Sequence, residues 1–111
     1  MSELPLEVSV EEVSALLSDP TPPRLIDCRE DDEWQICRIE GAELAPLSRF
    51  GEEAKGRFTD TSQHIVIYCH HGMRSQRAAN WLRERGFSKA QSMRGGVESW
   101  ADLVDPEMPR Y

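Results

Sequence analysis

No apolar run in the chain approaches the ~18–20 residues that a membrane span needs. The opening Met1-Ser2-Glu3-Leu4-Pro5 has neither the basic nor the apolar stretch of a secretory signal. Neither a membrane nor an exported location is expected, and a cytoplasmic one is. Cysteine is scarce: Cys28, Cys37 and Cys69 are an odd number with no C-x-x-C pair. Their spacing excludes a disulfide framework and a paired zinc site, and reads as thiols in a reducing compartment. No metal and no cofactor are expected. Neither G-x-G-x-x-G nor a Walker pattern occurs, so Gly95-Gly96 is not a phosphate fingerprint. Basic residues are in deficit, 13 against 20 acidic ones, for a net charge of −7. That argues against a nucleic-acid binder and against docking on an anionic membrane. It leaves a small anionic substrate open, because one local basic site overrides the global field.

With 111 residues, 39% of them apolar and 30% charged, the chain suits one globular domain. Residues 1–111 are read as that domain, with a core over about 8–104 and a tail at 105–111. Residues 1–7 read as a loose lead-in. Ser9 and Glu12 have capping-box spacing, and Val10, Val13, Leu16 and Leu17 follow at helical spacing, predicting a helix over 10–18. Prolines at 20, 22 and 23 stop it. Residues 24–28 read as a buried strand. The acidic run at 30–33 suits the positive end of a short helix carrying Trp34 and Ile36 inward. A short strand at 42–45 and one or two short helices over 47–58 follow. The strongest strand signal is 64–68, where Ile65, Val66, Ile67 and Tyr68 imply burial on both faces. A helix over 76–85, a weak strand at 90–93 and a helix over 97–104 complete the chain. Strands alternating with helices predict an α/β domain with a mainly parallel sheet.

The chemistry is expected where the 64–68 strand ends, because open α/β sheets bind ligands beyond the carboxyl ends of their strands. Cys69-His70-His71-Gly72-Met73-Arg74-Ser75 stands there. A loop before a helix aims N–H groups at one point, and the helix adds its positive end. Such a setting, with nearby cations, lowers a thiol pKa and favours the reactive thiolate of Cys69. His70, His71 and Arg74 supply possible cations, and Gly72 permits a tight turn. The nucleophile has two uses, attack on phosphorus or attack on a sulfane sulfur. Cysteine-dependent phosphatases space cysteine and arginine by five residues, whereas four separate Cys69 from Arg74. The shorter loop has a smaller radius and suits sulfur better than a tetrahedral phosphate.

Three blocks resemble the rhodanese family of sulfurtransferases. They are Leu25-Ile26-Asp27-Cys28-Arg29-Glu30 with Glu33-Trp34 and Gly41-Ala42, the Cys69 to Ser75 loop, and Met93-Arg94-Gly95-Gly96-Val97-Glu98-Ser99-Trp100. The resemblance implies a rhodanese-like three-layer domain, a central mainly parallel five-stranded sheet with helices on both faces. It implies that Cys69 carries a persulfide and that backbone amides of residues 70–75 surround the outer sulfur. The chain departs from the family where Cys37-Arg38-Ile39-Glu40 replaces its frequent Gly-His-Ile and proline. Ile36-Cys37-Arg38 and the tail from Asp105 are similar to rhodanese domains fused behind adenylyltransferases, which deliver sulfur to a carrier protein.

The expected reaction moves a sulfane sulfur from thiosulfate or another persulfide donor to a thiol or protein acceptor. Arg74 is the candidate contact for the donor's sulfonate, while His70 and His71 raise the local potential and make the rate pH-sensitive. Met73 and Ser75 complete the candidate loop. A non-turnover sulfur relay or sensor for a protein partner is the alternative, and a cysteine phosphatase or arsenate reductase is a further one. Asp27 and Arg29 read as structural ties at a strand end, Cys28 as a small core residue, and Trp81 and Trp100 as helix-to-sheet packing. Cys37 is weighed as a resolving thiol, and the sequence gives no distance for it. The physiological donor and acceptor, the pathway and the oligomeric state are not legible.

Overall fold

Leu25, Ile26, Ile65, Val66, Ile67 and Tyr68 are too apolar along their whole length for a sheet with one wet face, and all are buried. A computed structural model describes residues 4–111 and shows how they are covered. Five strands, β1 (Glu7–Val8), β2 (Arg24–Asp27), β3 (Glu43–Leu44), β4 (Ile65–Tyr68) and β5 (Ala90–Met93), form one sheet in the order β1-β5-β4-β2-β3. Every pairing is parallel. The helices are α1 (Val10–Leu17), α2 (Asp31–Ile36), α3 (Phe50–Arg57) after a 3₁₀ turn at Leu47–Arg49, α4 (Met73–Arg83) and α5 (Gly96–Leu103).

Alternation along the strands divides the core in two. Ile26, Cys28, Ile65, Ile67 and Cys69 face α3 and α4, meeting Phe50, Ala54, Ala78, Ala79 and Leu82. Leu25, Val66, Tyr68 and Met93 face α1 and α5, meeting Val10, Val13, Val97 and Trp100. The layers are therefore helix, sheet, helix, as the rhodanese resemblance implies. No described helix is long and apolar enough to cross a membrane.

Several boundaries differ from the sequence reading. The lead-in contains the edge strand β1, whose Glu7 and Val8 pair with Ser92 and Met93; two residues are too few to show a period. Helix α4 starts at Met73, three residues early, because Gly72 at φ 113° serves as its N-cap. Strand β5 is fully buried despite Gln91 and Ser92, since both are satisfied: Gln91 Oε1 meets His64 Nε2 at 2.7 Å and Ser92 Oγ meets Ser75 Oγ at 2.6 Å. Helix α2 buries none of its residues. Ile36 is 45% exposed, not turned inward, and Trp34 lies under the Arg38 guanidinium, 4.6 Å from its ring centroid. The capping box at Ser9 and Glu12 forms as expected. Trp100 is core, while Trp81 packs at the core's edge, against Phe50.

Candidate functional site

Strand β4 delivers Cys69 to the sheet's carboxyl edge, and the chain turns at once through His70, His71 and Gly72 into α4. Gly72 N–H donates to Cys69 Sγ at 3.0 Å and Ser75 N–H at 3.4 Å. Both are first-turn amides that the helix itself leaves unpaired, so an anion there meets donors and the positive end of α4 together. Ser75 Oγ lies 3.6 Å from the sulfur and 2.6 Å from Ser92 Oγ. The Ser75 hydroxyl donates to the Gly72 carbonyl at 3.1 Å, and the same rotor turned toward the sulfur serves a thiolate.

The loop is pinned from behind by α5. Val97 N–H donates to the Cys69 carbonyl at 2.9 Å and Glu98 N–H to the His70 carbonyl at 3.2 Å. Those carbonyls are thereby paired with α5 amides. Only glycine permits the approach: a Cβ on Gly96 would stand 2.3 Å from the Cys69 oxygen and 2.4 Å from that of His70, at φ +60°.

The Cys69 thiol is only 1% exposed, yet its pKa falls from the ordinary thiol value to about 5. The largest cause is the neighbouring Cys28 thiol; Ser75 and the Ser75 and Gly72 amides add to it, against the opposing effect of burial. These neighbours thus do what the sequence reading assigned in part to cations. Arg74 is already engaged, with Nη1 and Nη2 donating to the two Glu33 oxygens at 2.6 and 2.8 Å. That fork holds the Glu33 carboxyl down to about 2 and leaves Arg74 half-buried beside the sulfur rather than free in solvent.

Cys69, His70, His71, Met73 and Arg74 line a cavity of about 290 Å³, at the small end of ligand sites. Met73 forms its apolar rim, 78% exposed. His70 stacks on His71 and on Tyr111, with ring centroids 4.1 Å apart in each case. Its Nε2 lies 3.5 Å from Glu98 Oε1. A larger cavity of about 380 Å³, between the ends of α1 and α5, is lined by neither cysteine nor histidine. Among the described residues no group of histidine, cysteine or carboxylate side chains is arranged to hold a metal.

Asp27 and Arg29 are wholly buried and tie the edge together. Arg29 Nε and Nη2 donate to Asp27, Nη2 donates also to the Cys37 carbonyl, and Nη1 donates to the Tyr111 hydroxyl at 2.8 Å. Tyr111 in turn donates to Glu33 at 2.8 Å. Cys37 lies in the core of the opposite sheet face, away from Cys69. Three participants were missed by sequence reasoning: Cys28 as a partner of Cys69, Glu33 as the clamp on Arg74, and Tyr111 as a cover on His70. Only Cys28 had a signal. It follows the Ile26-Asp27 pair as Cys69 follows Ile67-Tyr68, which in aligned parallel strands makes the two cysteines neighbours.

A profile of the rhodanese-like domain matches residues 9–103. The chain is 32% identical over 110 residues to the rhodanese-like/PpiC domain-containing protein 12, chloroplastic, of Arabidopsis thaliana, covering 95% of this chain and 37% of that protein. It is 34% identical over 109 residues to the adenylyltransferase and sulfurtransferase MOCS3-2 of Zea mays, covering 94% of this chain and 23% of that protein. The chain therefore spans well under half the length of either relative. The fold matches the human single-domain sulfurtransferase TSTD1 with a TM-score of 0.77 at 23% identity, over 89% of this chain and 97% of that one.

Proposed function

The chain belongs to the rhodanese-like domain family, and from that premise we propose that it is a sulfurtransferase whose sulfur is carried on Cys69. The observation that carries the reading is a buried cysteine at a helix N-terminus, receiving two backbone N–H groups and opening on a small cavity. Its low pKa makes it a thiolate at neutral pH.

The Cys69 thiolate attacks the outer sulfur of thiosulfate. An S–S bond forms to Cys69, the bond between the two donor sulfurs breaks, and its electron pair leaves on sulfite. The persulfide's negative outer sulfur takes up the space toward His70, His71 and Arg74. The amides that held the thiolate are already oriented, so little reorganisation accompanies the charge movement. An acceptor thiolate, or cyanide in an assay, then attacks the outer sulfur and frees Cys69. Because Arg74 is shared with Glu33, the donor's sulfonate meets a paired guanidinium, and the loop amides supply most of the site's positive character. A thiosulfate donor and a thiol acceptor both fit this chemistry. So does a protein acceptor, the reading favoured by the likeness to a chain named both adenylyltransferase and sulfurtransferase.

Initial rates with thiosulfate and cyanide test the proposal. Double displacement gives parallel reciprocal plots, and Cys69→Ser lowers turnover by at least about 10³-fold. Intersecting plots with activity retained in Cys69→Ser would contradict it. Hydrolysis of an aryl phosphate that depends on Cys69 would favour phosphorus chemistry instead.

A further inference from the structure

Beneath the candidate site lies a second thiol that the sulfur transfer does not consume. Asp27 pairs with Tyr68 in the parallel register of β2 and β4, so the next residues, Cys28 and Cys69, fall side by side. The Cys28 N–H donates to the Tyr68 carbonyl at 3.0 Å and holds that alignment past the strand ends. Side chains alternate along a strand, and both cysteines fall on the face of Ile26, Ile65 and Ile67. There the two thiols are neighbours in one packed cluster, and each shifts the other's ionisation. Adjacent strands lie about 4.7–4.9 Å apart, within the ~4.4–6.8 Å that a disulfide allows between Cα atoms. Cys37, on the opposite face, has no such access. Cys28 does not line the cavity, whereas Cys69 does. An outer sulfur on Cys69 thus has the cavity to itself, and Cys28 reaches Sγ from the core.

We propose that Cys28 is the resolving thiol of this site, closing a Cys28–Cys69 disulfide and expelling the carried sulfur as sulfide when no acceptor arrives. The inference rests on the reading of Cys69 as the persulfide carrier. In the step, Cys28 sulfur attacks Cys69 Sγ. The Cys28–Cys69 bond forms, the bond from Sγ to the outer sulfur breaks, and its electron pair leaves on the outer sulfur. The Cys28 proton goes to that sulfur, and the product is hydrosulfide. The outer sulfur is reduced, the two cysteines end as a disulfide, and the carried sulfur is itself the oxidant. Before loading, the Cys69 anion beside Cys28 keeps that thiol protonated and unreactive. Loading moves the negative charge out to the terminal sulfur, so resolution follows loading and not the reverse. A dithiol reductant reopens the site. The consequence is a further activity, release of sulfide from a sulfane donor, coupled to reversible closure of the enzyme.

The test loads the full chain with thiosulfate, removes excess donor, and holds the protein without acceptor. Intact mass is expected to pass from a gain of one sulfur atom to a loss of two hydrogen atoms relative to the reduced protein. About one equivalent of sulfide accompanies the change, and a digest joins the Cys28 and Cys69 peptides. Cys28→Ser keeps a hydroxyl donor beside Cys69; it loads, retains its sulfur, and releases sulfide at least about tenfold more slowly. Cys28→Val, an apolar replacement of similar size, guards against a folding artefact and is also expected to load without closing. Loading without closure in the wild type, sulfide release from Cys28→Ser at the wild-type rate, or a disulfide to Cys37 overturns this inference alone. Failure to load from either thiosulfate or glutathione persulfide overturns the sulfur-carrying reading, and this inference with it.

Discussion

The Cys69 sulfur accepts from Gly72 and Ser75 N–H groups and lies beside the Cys28 thiol, while Arg74, the cation of the same loop, gives both Nη groups to Glu33. The ionisation of the Cys69 thiol is therefore set by groups fixed in the fold. Its value near 5 means that thiosulfate kcat/KM rises with pH through about 5 and is flat by neutrality, apart from any titration of the acceptor. A profile that keeps rising to pH 8 or beyond would show an ordinary thiol instead. The Cys28→Val variant loses the neighbouring thiol, the largest influence that lowers the Cys69 pKa. Its profile is expected to shift upward by roughly one pH unit or more, the scale of one hydrogen bond to a charged group. The cysteine at the head of the cavity loop was legible from its place after a buried strand. Its second thiol partner was legible in principle, from two cysteines at equal offsets past two strands.

At the scale of elements, the site depends on how α2, α4 and α5 meet the sheet edge. Helix α5 pins the loop through the Cys69 and His70 carbonyls, and Gly96 leaves no room for a side chain there. Gly96→Ala is expected to cost about 1–3 kcal/mol and to slow sulfur transfer at least about tenfold through the displaced amides. Thermal melts and the cyanide assay read these two effects separately. The Glu33–Arg74 fork ties α2 to α4. Glu33 has a folded value near 2, below the ordinary carboxylate value, so its stabilisation is complete above about pH 4.5 and is lost as pH falls toward 2. Glu33→Gln is expected to flatten Tm against pH across that window; an unchanged slope would show the fork to be energetically idle. The strongly apolar 64–68 run revealed β4, but α4's true start was hidden because Met73, Arg74 and Ser75 carry no helix-start pattern. Their helix begins at a glycine cap in the left-handed region, and such a cap also reads as a loop.

Across the whole molecule, residues far apart in sequence close one edge of the sheet. Asp27, Arg29, Glu33, Arg74 and Tyr111 form a continuous polar chain from the core to the cavity. Tyr111→Phe removes the hydroxyl between Arg29 and Glu33, and the loss expected is about 1–3 kcal/mol for a guanidinium N–H left without its partner, read by denaturant unfolding. The layered α/β architecture was legible because strand and helix periods alternate. The tail's return onto His70 was not, since one tyrosine beyond Asp105 and the prolines at 106 and 109 carries no pattern. Nor was the edge strand β1, too short to show alternation. The central claim is that Cys69 carries sulfur covalently. Intact mass of the reduced protein before and after thiosulfate, with Cys69→Ser alongside, tests it most directly. The account predicts a gain of one sulfur atom in the wild type at early times, reversed by a thiol and absent from Cys69→Ser. No gain at any time, or an equal gain in Cys69→Ser, would contradict it.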